Sequence, residues 1–277
     1  MRVTDHYAVI GNPVAHSKSP FIHAEFARQT GQDIAYDRIL APLGGFRKAV
    51  EDFRAEGGNG LNVTVPFKLE AFELAQERTT RAADAGAVNV LKFEGATIFG
   101  DNTDGVGLLR DIKGNLRFGI DGRDVLLMGA GGAAQGVLGP LLEARPARLV
   151  VANRTVDRAE RLVERFRATG RFDGMLLAAS SYPALAGQRF DLVINATAAS
   201  LGDTVPELPD GIFASGSLAY DMMYGKATAF LKLASTRGAA RVADGTGMLV
   251  EQAAESFLIW RGVRPETRPV IEALKAQ

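Results

Sequence analysis

The chain of 277 residues predicts an α/β protein of two domains, each built on its own sheet. Three observations carry that prediction. Strand-like and helix-like segments alternate through the first hundred residues, the pattern of a mostly parallel sheet with crossover helices. A glycine-rich turn, Gly129-Ala130-Gly131-Gly132-Ala133-Ala134, lies between the apolar run Val125-Leu126-Leu127-Met128 and a helical stretch. Further short apolar runs follow it at regular intervals, enough for a second, doubly wound sheet of the Rossmann type.

In the first part, strands are expected at 7–10, 34–40 and 61–65, and helices at 20–30, 46–56 and 67–76. Ser19 reads as the N-cap before Pro20 at the first helical position, Gly31 closes that helix, and Gly57-Gly58 close the next. Segments 88–93 and 96–100 form a hairpin about Glu94-Gly95. A helix starting near Val106 leads into the second part, with strands at 125–128, 148–152, 175–178, 191–195, 218–221 and 241–243 and a helix at 133–144. The tail is helical over 248–260 and 266–276, and periodicity alone attaches it to neither domain.

The glycine turn has the form Gly129-x-Gly131-x-x-Ala134, which turns a strand into a helix beneath a pyrophosphate. Gly129 permits the tight turn, Gly131 lets the backbone approach the phosphates, and Ala134 lets the helix pack closely while its free N–H groups face the anion. The residues after the next strand decide the cofactor. An NAD site usually places a carboxylate there for the ribose 2′-hydroxyl, whereas this chain offers Asn153-Arg154-Thr155 and then Arg158. Guanidinium groups match phosphate oxygens bidentately, so Arg154 and Arg158 form a clamp for the 2′-phosphate of NADP. Two solvated arginines at a helix start are the alternative, at a cost of about 0.3 to 1 kcal/mol each against the helix dipole.

Thirty-two basic residues balance thirty-two acidic ones, so nothing in the charge favours nucleic acid or an anionic membrane, and a small-molecule partner is expected. The absence of cysteine removes disulfides, thiol nucleophiles and cysteine-ligated metals, and suits a reducing cytoplasm. His6, His16 and His23 form no zinc motif. The start of the chain lacks the apolar core of a signal peptide, and its most apolar window, 126–142, is shorter than a membrane span. The location expected is cytoplasmic, with a homodimer as an open possibility for assembly.

Leu61, Val63 and Val65 alternate with Asn62 and Thr64, so a strand would bury the first three and present the two polar side chains opposite, toward a ligand or toward neighbouring loops. Lys68 follows Pro66-Phe67 at a helix start, where the dipole disfavours a cation, and is a candidate for general acid–base work. In Asp101-Asn102-Thr103-Asp104-Gly105 two aspartates exceed the need for one helix cap, so Asp104 is expected to be both a cap and a hydrogen-bond acceptor that could hold Lys68. The loop His16-Ser17-Lys18-Ser19-Pro20 offers two hydroxyls to a carboxylate or another small anion.

These segments together resemble the shikimate dehydrogenase family over almost the whole chain. The likeness is carried by Gly11-Asn12-Pro13 through Pro20, Asn62 to Lys68, Gly86-Ala87-Val88-Asn89, Asp101 to Gly105, Gly129 to Ala134, Asn153-Arg154-Thr155, and Asp244-Gly245 through Gln252. It implies NADPH-dependent, reversible reduction of 3-dehydroshikimate to shikimate in aromatic amino-acid biosynthesis. Lys68 and Asp104 would form the catalytic pair, Ser17 and Ser19 would hold the substrate carboxylate, and Thr64, Asn89, Tyr224 and Gln252 would surround the ring together with Asp104. Asn195-Ala196-Thr197, Met222 and Gly245 would join the arginines and the glycine turn at the dinucleotide. The likeness also implies a discontinuous substrate domain, 1–105 with 246–277, an NADP domain at 106–245, and an active-site cleft between them.

Two segments depart from the commonest family pattern: Ala198-Ala199-Ser200 after Thr197, and Thr246 between Gly245 and Gly247. Both bear on the nicotinamide pocket rather than on the catalytic pair. Three rivals share parts of the pattern: an NAD-linked quinate/shikimate dehydrogenase, an S-adenosylmethionine methyltransferase, and a non-catalytic NADPH-binding regulator. Arg154 and Arg158 argue against the first, the lack of an acidic residue after the second strand argues against the second, and Lys68 with Asp104 argues against the third.

Overall fold

The structure, a computed structural model, describes residues 4–197, 207–225 and 227–276. The chain divides into two compact units, Met1–Gly107 with Val250–Gln277, and Leu108–Leu249.

The first unit runs β1 (Asp5–Gly11), α1 (Ser19–Thr30), β2 (Ile34–Leu40), α2 (Phe46–Ala55), β3 (Gly58–Val63), α3 (Lys68–Leu74), β4 (Glu77–Arg78), α4 (Thr80–Ala85), β5 (Val90–Glu94) and β6 (Thr97–Asp101), and enters α5 (Asp104–Arg110). Its sheet has the order β2-β1-β3-β5-β6-β4. Strands β1 and β2, β1 and β3, and β4 and β6 pair in parallel, while the hairpin β5-β6 runs antiparallel and pairs antiparallel with β3. Ala8, Ile10, Leu61, Val63 and Leu91 pack one face against Phe46, Val50, Phe67 and Ala71 from the helices. Burying each large apolar side chain contributes about 1.5 to 3 kcal/mol.

The second unit continues from α5 through a π-helical turn (Asp111–Asn115) into β7 (Asp124–Met128), α6 (Gly132–Glu143), β8 (Arg148–Ala152), α7 (Val156–Arg167), β9 (Leu176–Ser180), β10 (Phe190–Asn195), β11 (Phe213–Asp221), α8 (Ala229–Thr236) and β12 (Arg241–Ala243). Every pairing in the order β12-β11-β10-β7-β8-β9 is parallel. Read from β7, this is the 3-2-1-4-5-6 order of a dinucleotide fold, with its switch point between β7 and β10. Alternate residues of one strand serve opposite cores. Val125 and Leu127 join one cluster with α6 and α7, and Leu126 and Met128 join another with Phe190 and Phe230. Helices α9 (Thr246–Arg261) and α10 (Arg268–Lys275) complete the chain. Within the first unit, Trp260 of α9 stacks on Tyr7 with ring centroids 4.6 Å apart and donates Nε1–H to the Leu91 carbonyl at 3.0 Å.

Several local expectations need correction. Ser19 is the first helical residue rather than the cap: Lys18 occupies the cap position without a side-chain cap bond, and the Ser19 N–H donates instead to Ser17 Oγ at 3.3 Å. Gly57, at φ +93°, ends the α2 segment, but Gly58 already belongs to β3. Val65 is 67% exposed because β3 stops at Val63 and the chain turns, with Phe67 N–H donating to the Thr64 carbonyl at 3.0 Å. Helix α5 begins two residues before Val106. Among the described residues, no helix is long and apolar enough to cross a membrane.

Candidate active site

In the first unit, three loops at the ends of β1, β3 and β6 carry most of the polar residues singled out above. Lys68 opens α3, and its carbonyl accepts from Val88 N–H at 2.9 Å, tying the helix start to the segment before β5. The Lys68 ammonium donates to Asp104 Oδ2, with side chains 23% and 9% exposed respectively. The other oxygen, Oδ1, accepts from Asn89 Nδ2 at 2.8 Å. Both bonds of the carboxylate point away from its own helix, so Asp104 is an acceptor rather than a helix cap. Its N–H donates to Asn102 Oδ1 at 3.2 Å.

Asn89 ties the group together. Its Oδ1 accepts from Thr103 N–H at 2.8 Å, and its Nδ2 approaches Gln252 Oε1 at 3.5 Å. Thr103 Oγ1 lies 3.4 Å from the same Gln252 oxygen. The structure therefore brings Lys68, Asn89, Asp104 and Gln252 into one polar cluster. Such a cluster can present a cation, amides and a carboxylate to a hydroxylated ring.

Thr64 follows β3, and its backbone N–H donates to the Ile10 carbonyl at 3.0 Å. Gly11 is required beside it, because a Cβ at that position would collide with Thr64 Cγ2. Ser17 donates its hydroxyl to Ser19 Oγ at 3.1 Å, and the Ser17 carbonyl accepts from Arg38 Nη2 at 2.6 Å. The buried Tyr36 hydroxyl donates to Asn62 Oδ1 at 2.7 Å, and Asn62 Nδ2 donates to Ser256 Oγ at 2.9 Å. Burial pushes the Tyr36 hydroxyl well above its ordinary pKa. Sequence reasoning missed Tyr36 and Ser256, since a hydroxyl within an otherwise ordinary strand or helix pattern carries no local signature, and it took Thr103 only as part of the Asp101 to Gly105 motif, with no role of its own.

Tyr224 belongs to the second unit, where burial raises its hydroxyl above the ordinary value. In that unit the glycine turn follows β7. Gly129 has φ +105°, and a Cβ there would press on the Ala196 carbonyl at 3.1 Å and on Thr197 Cγ2 at 3.2 Å. Gly131 caps α6, and a Cβ on Gly131 or Gly132 would point into open space, leaving their backbone accessible. Ala130 and Gly131 line a groove of about 420 Å³ with Gln135, Arg158, Arg161, Leu162 and Arg165. Ala133 and the buried Ala134 form the first turn of α6, with Ala134 packed in the core against β7 and β8.

After β8, Asn153 Nδ2 donates to the Thr155 carbonyl at 2.8 Å and shapes the turn that carries the exposed Arg154. Thr197 donates Oγ1–H to Asn195 Oδ1 at 2.7 Å, and Met222 N–H donates to the Asn195 carbonyl at 3.0 Å. Gly245 N–H donates to the Met223 carbonyl at 2.8 Å, and a Cβ on Gly245 would collide with the Met222 carbonyl. Asp221 and Thr228, which sequence reasoning missed, anchor this corner: Asp221 Oδ2 accepts from Asn195 Nδ2 at 3.2 Å and from Thr228 Oγ1 at 2.5 Å. Thr246 donates its hydroxyl to Asp244 Oδ2 at 2.9 Å, so the departure at that position adds a bond to the turn. Ala198-Ala199-Ser200 lie outside the described residues.

Open glycine backbone at a helix start, cationic side chains along the neighbouring helix and the strand order fit a phosphorylated dinucleotide. Fold and side chains define a protein of the class that binds a phosphorylated dinucleotide on a doubly wound sheet.

The chain belongs to the shikimate dehydrogenase family. Residues 9–91 match the shikimate dehydrogenase substrate binding domain, 113–202 the shikimate / quinate 5-dehydrogenase family, and 245–275 the shikimate 5'-dehydrogenase C-terminal domain. It is 61% identical to shikimate dehydrogenase (NADP(+)) of Nitrosospira multiformis over 99% of this chain and 98% of that protein. The crystal structure of an Ael1 enzyme from Pseudomonas putida is 51% identical and covers 98% of each chain at a TM-score of 0.91. A shikimate 5-dehydrogenase from Thermus thermophilus, solved in complex with NADP(H) and shikimate, is 30% identical and covers 99% of each chain at a TM-score of 0.86.

Proposed function

We propose that the chain catalyses the reversible, NADPH-dependent reduction of 3-dehydroshikimate to shikimate. The observation that carries the proposal is the Lys68–Asp104 pair joined through Asn89 to Gln252. Bound NADPH supplies the hydride. Lys68 Nζ gives a proton to the oxygen of the reduced carbon, or takes it in the reverse direction, while Asp104 Oδ2 holds the ammonium in place. Asn89 and Gln252 orient the ring hydroxyls, Thr64 adds a hydroxyl beside them, and Ser17 with Ser19 receives the carboxylate.

For the dinucleotide, Gly129 to Ala134 take the pyrophosphate, and Asn153, Arg154, Thr155 and Arg158 take the phosphorylated ribose. Thr197, Met222 and Gly245 form the nicotinamide end. On this reading the segments 1–105 and 246–277 serve the substrate and 106–245 serves NADP. The proposal extends to a cytoplasmic enzyme, which suits a chain without cysteine, and to assembly as a homodimer, read by light scattering on the purified protein.

Initial rates of reduced nicotinamide formation from shikimate and from quinate, each with NADP, test the reaction. Turnover of shikimate well above that of quinate is expected. Comparable turnover of both would move the assignment to the broader quinate/shikimate activity, and NADP binding without turnover of either would replace it with a regulator.

A further inference from the structure

The loop that presents Asp104 is held by a chain of buried carboxylates and part-buried arginines that the reaction itself does not use. Asp101 ends β6 and is buried, and Oδ1 of its carboxylate accepts from Thr79 Oγ1 at 2.5 Å and from Arg81 Nε at 2.7 Å, while Oδ2 accepts from Arg81 Nη2 at 2.6 Å. The same Oδ1 accepts from Asn102 N–H at 2.7 Å, and Asn102 Oδ1 in turn accepts from Asp104 N–H. Arg81 Nη2 reaches across to Glu255 Oε1 of α9 at 3.3 Å. From there Arg264 links Glu255 at 3.2 Å to Glu251 at 2.5 Å, and Thr267 Oγ1 donates to Glu251 at 2.7 Å. Gln252 lies on α9 between Glu251 and Glu255.

Arg81 therefore stands where two functional segments of the first unit meet, the 101–104 loop and the helix that carries Gln252. Buried ion pairs are a weak means of stabilising a fold, because desolvation offsets much of the attraction and an apolar replacement often does as well. What a bidentate guanidinium supplies beyond charge is fixed direction. It also neutralises the buried Asp101, three residues from Asp104.

We propose that Arg81 is a positioning residue, which holds the Asp101–Asp104 loop in register with α9 so that Asp104, Asn89 and Gln252 meet the substrate together. This rests on the assignment of the substrate to that cluster. The test compares wild type, Arg81→Met, Arg81→Lys and Glu255→Gln by steady-state kinetics with shikimate and NADP, by calorimetric titration with NADP, and by thermal melting.

Arg81→Met is expected to lower kcat/KM for shikimate roughly 10- to 100-fold, the scale of a misplacement near 1 Å. Its affinity for NADP stays at the wild-type value. Arg81→Lys, which keeps the charge and loses the fork, recovers part of the loss. Glu255→Gln, which leaves the Arg81–Asp101 fork in place but weakens the link to α9 and the neighbouring Arg264 contact, raises KM for shikimate several-fold.

A folded Arg81→Met variant with wild-type kcat and KM overturns the proposal, as does a lower melting temperature with unchanged kinetic constants. Equal losses for shikimate and NADP overturn it too, since they mark general destabilisation. Should Arg81→Met fail to fold, Glu255→Gln decides, and an unchanged KM overturns the proposal. A wild-type protein that turns over no shikimate overturns the functional reading beneath it, and that result is visible without any variant.

Discussion

Replacing Asp104 by asparagine changes one atom at the contact on which the chemistry rests. The asparagine keeps an oxygen to accept from Asn89 Nδ2, now 2.8 Å from Oδ1, but sets an amide NH2 against the Lys68 ammonium. Two donors then face each other where a charged acceptor stood. A hydrogen bond to a charged group contributes about 1.5 to 3 kcal/mol, and each 1.36 kcal/mol is tenfold in rate, so kcat/KM should fall roughly 10- to 150-fold. The upper part of that range is favoured because the side chains are only 9% and 23% exposed, which limits screening by water. The assay is shikimate oxidation at saturating NADP, with NADP binding measured separately by titration and folding by thermal melting. NADP affinity should hold, since the groups assigned to it belong to the other unit. A variant that folds and works within twofold of wild type would refute the role of Asp104.

Removing both guanidinium groups, Arg154→Ala with Arg158→Ala, should weaken NADP roughly 100-fold or more, at about 1.5 to 3 kcal/mol for each charged bond lost, while leaving NAD nearly unaffected. Parallel KM measurements with the two cofactors check this, and an equal loss for both would oppose the clamp. His23 is buried against Tyr36, ring centroids 4.2 Å apart, and burial lowers its pKa from 6.5 to about 3. On acidification the unfolded chain takes up this proton first. Stability from the neutral ring is complete above pH 6.5 and is lost as the pH falls toward 3, by at most about 5 kcal/mol. His23→Phe, which retains a stacked ring, should flatten that part of a denaturant-unfolding series taken across this pH range, and an unchanged pH profile would oppose the reading.

Long-range order was most legible where local chemistry is unambiguous. Strand β8 carries the apolar run Leu149-Val150-Val151-Ala152 behind Arg148 and was readable from Arg148 to Ala152, and Gly31, at φ +63°, marks the end of α1 because few other residues adopt that backbone. Strand β4 and helix α4, at 77–78 and 80–85, escaped notice because two and six residues are too few to show a period. Helix α8 was missed for a similar reason, with eight residues that include Ser235 and Thr236. Val65 misled through alternation, which continues in the sequence past the point where the backbone turns.

At the site, the residue types were visible, but their meetings were not. Lys68 and Asp104 are 36 positions apart, and only the pairing of β3, β5 and β6 brings their loops together. Arg81 and Glu255 are 174 positions apart and look like ordinary surface charges in any local window. Ser19 shows the opposite error: a hydroxyl before a proline reads as a cap, whereas here Ser17 supplies the acceptor.

The central claim is that Lys68 serves the chemical step and not the binding of NADP. The most direct measurement is a side-by-side comparison of wild type and Lys68→Ala, with NADP affinity from titration and shikimate turnover from initial rates on the same samples. The predicted result is equal NADP affinity with turnover lowered roughly 100- to 10,000-fold, the usual contribution of a positioned acid–base group. Equal turnover, or loss of NADP binding in parallel with activity, would contradict it.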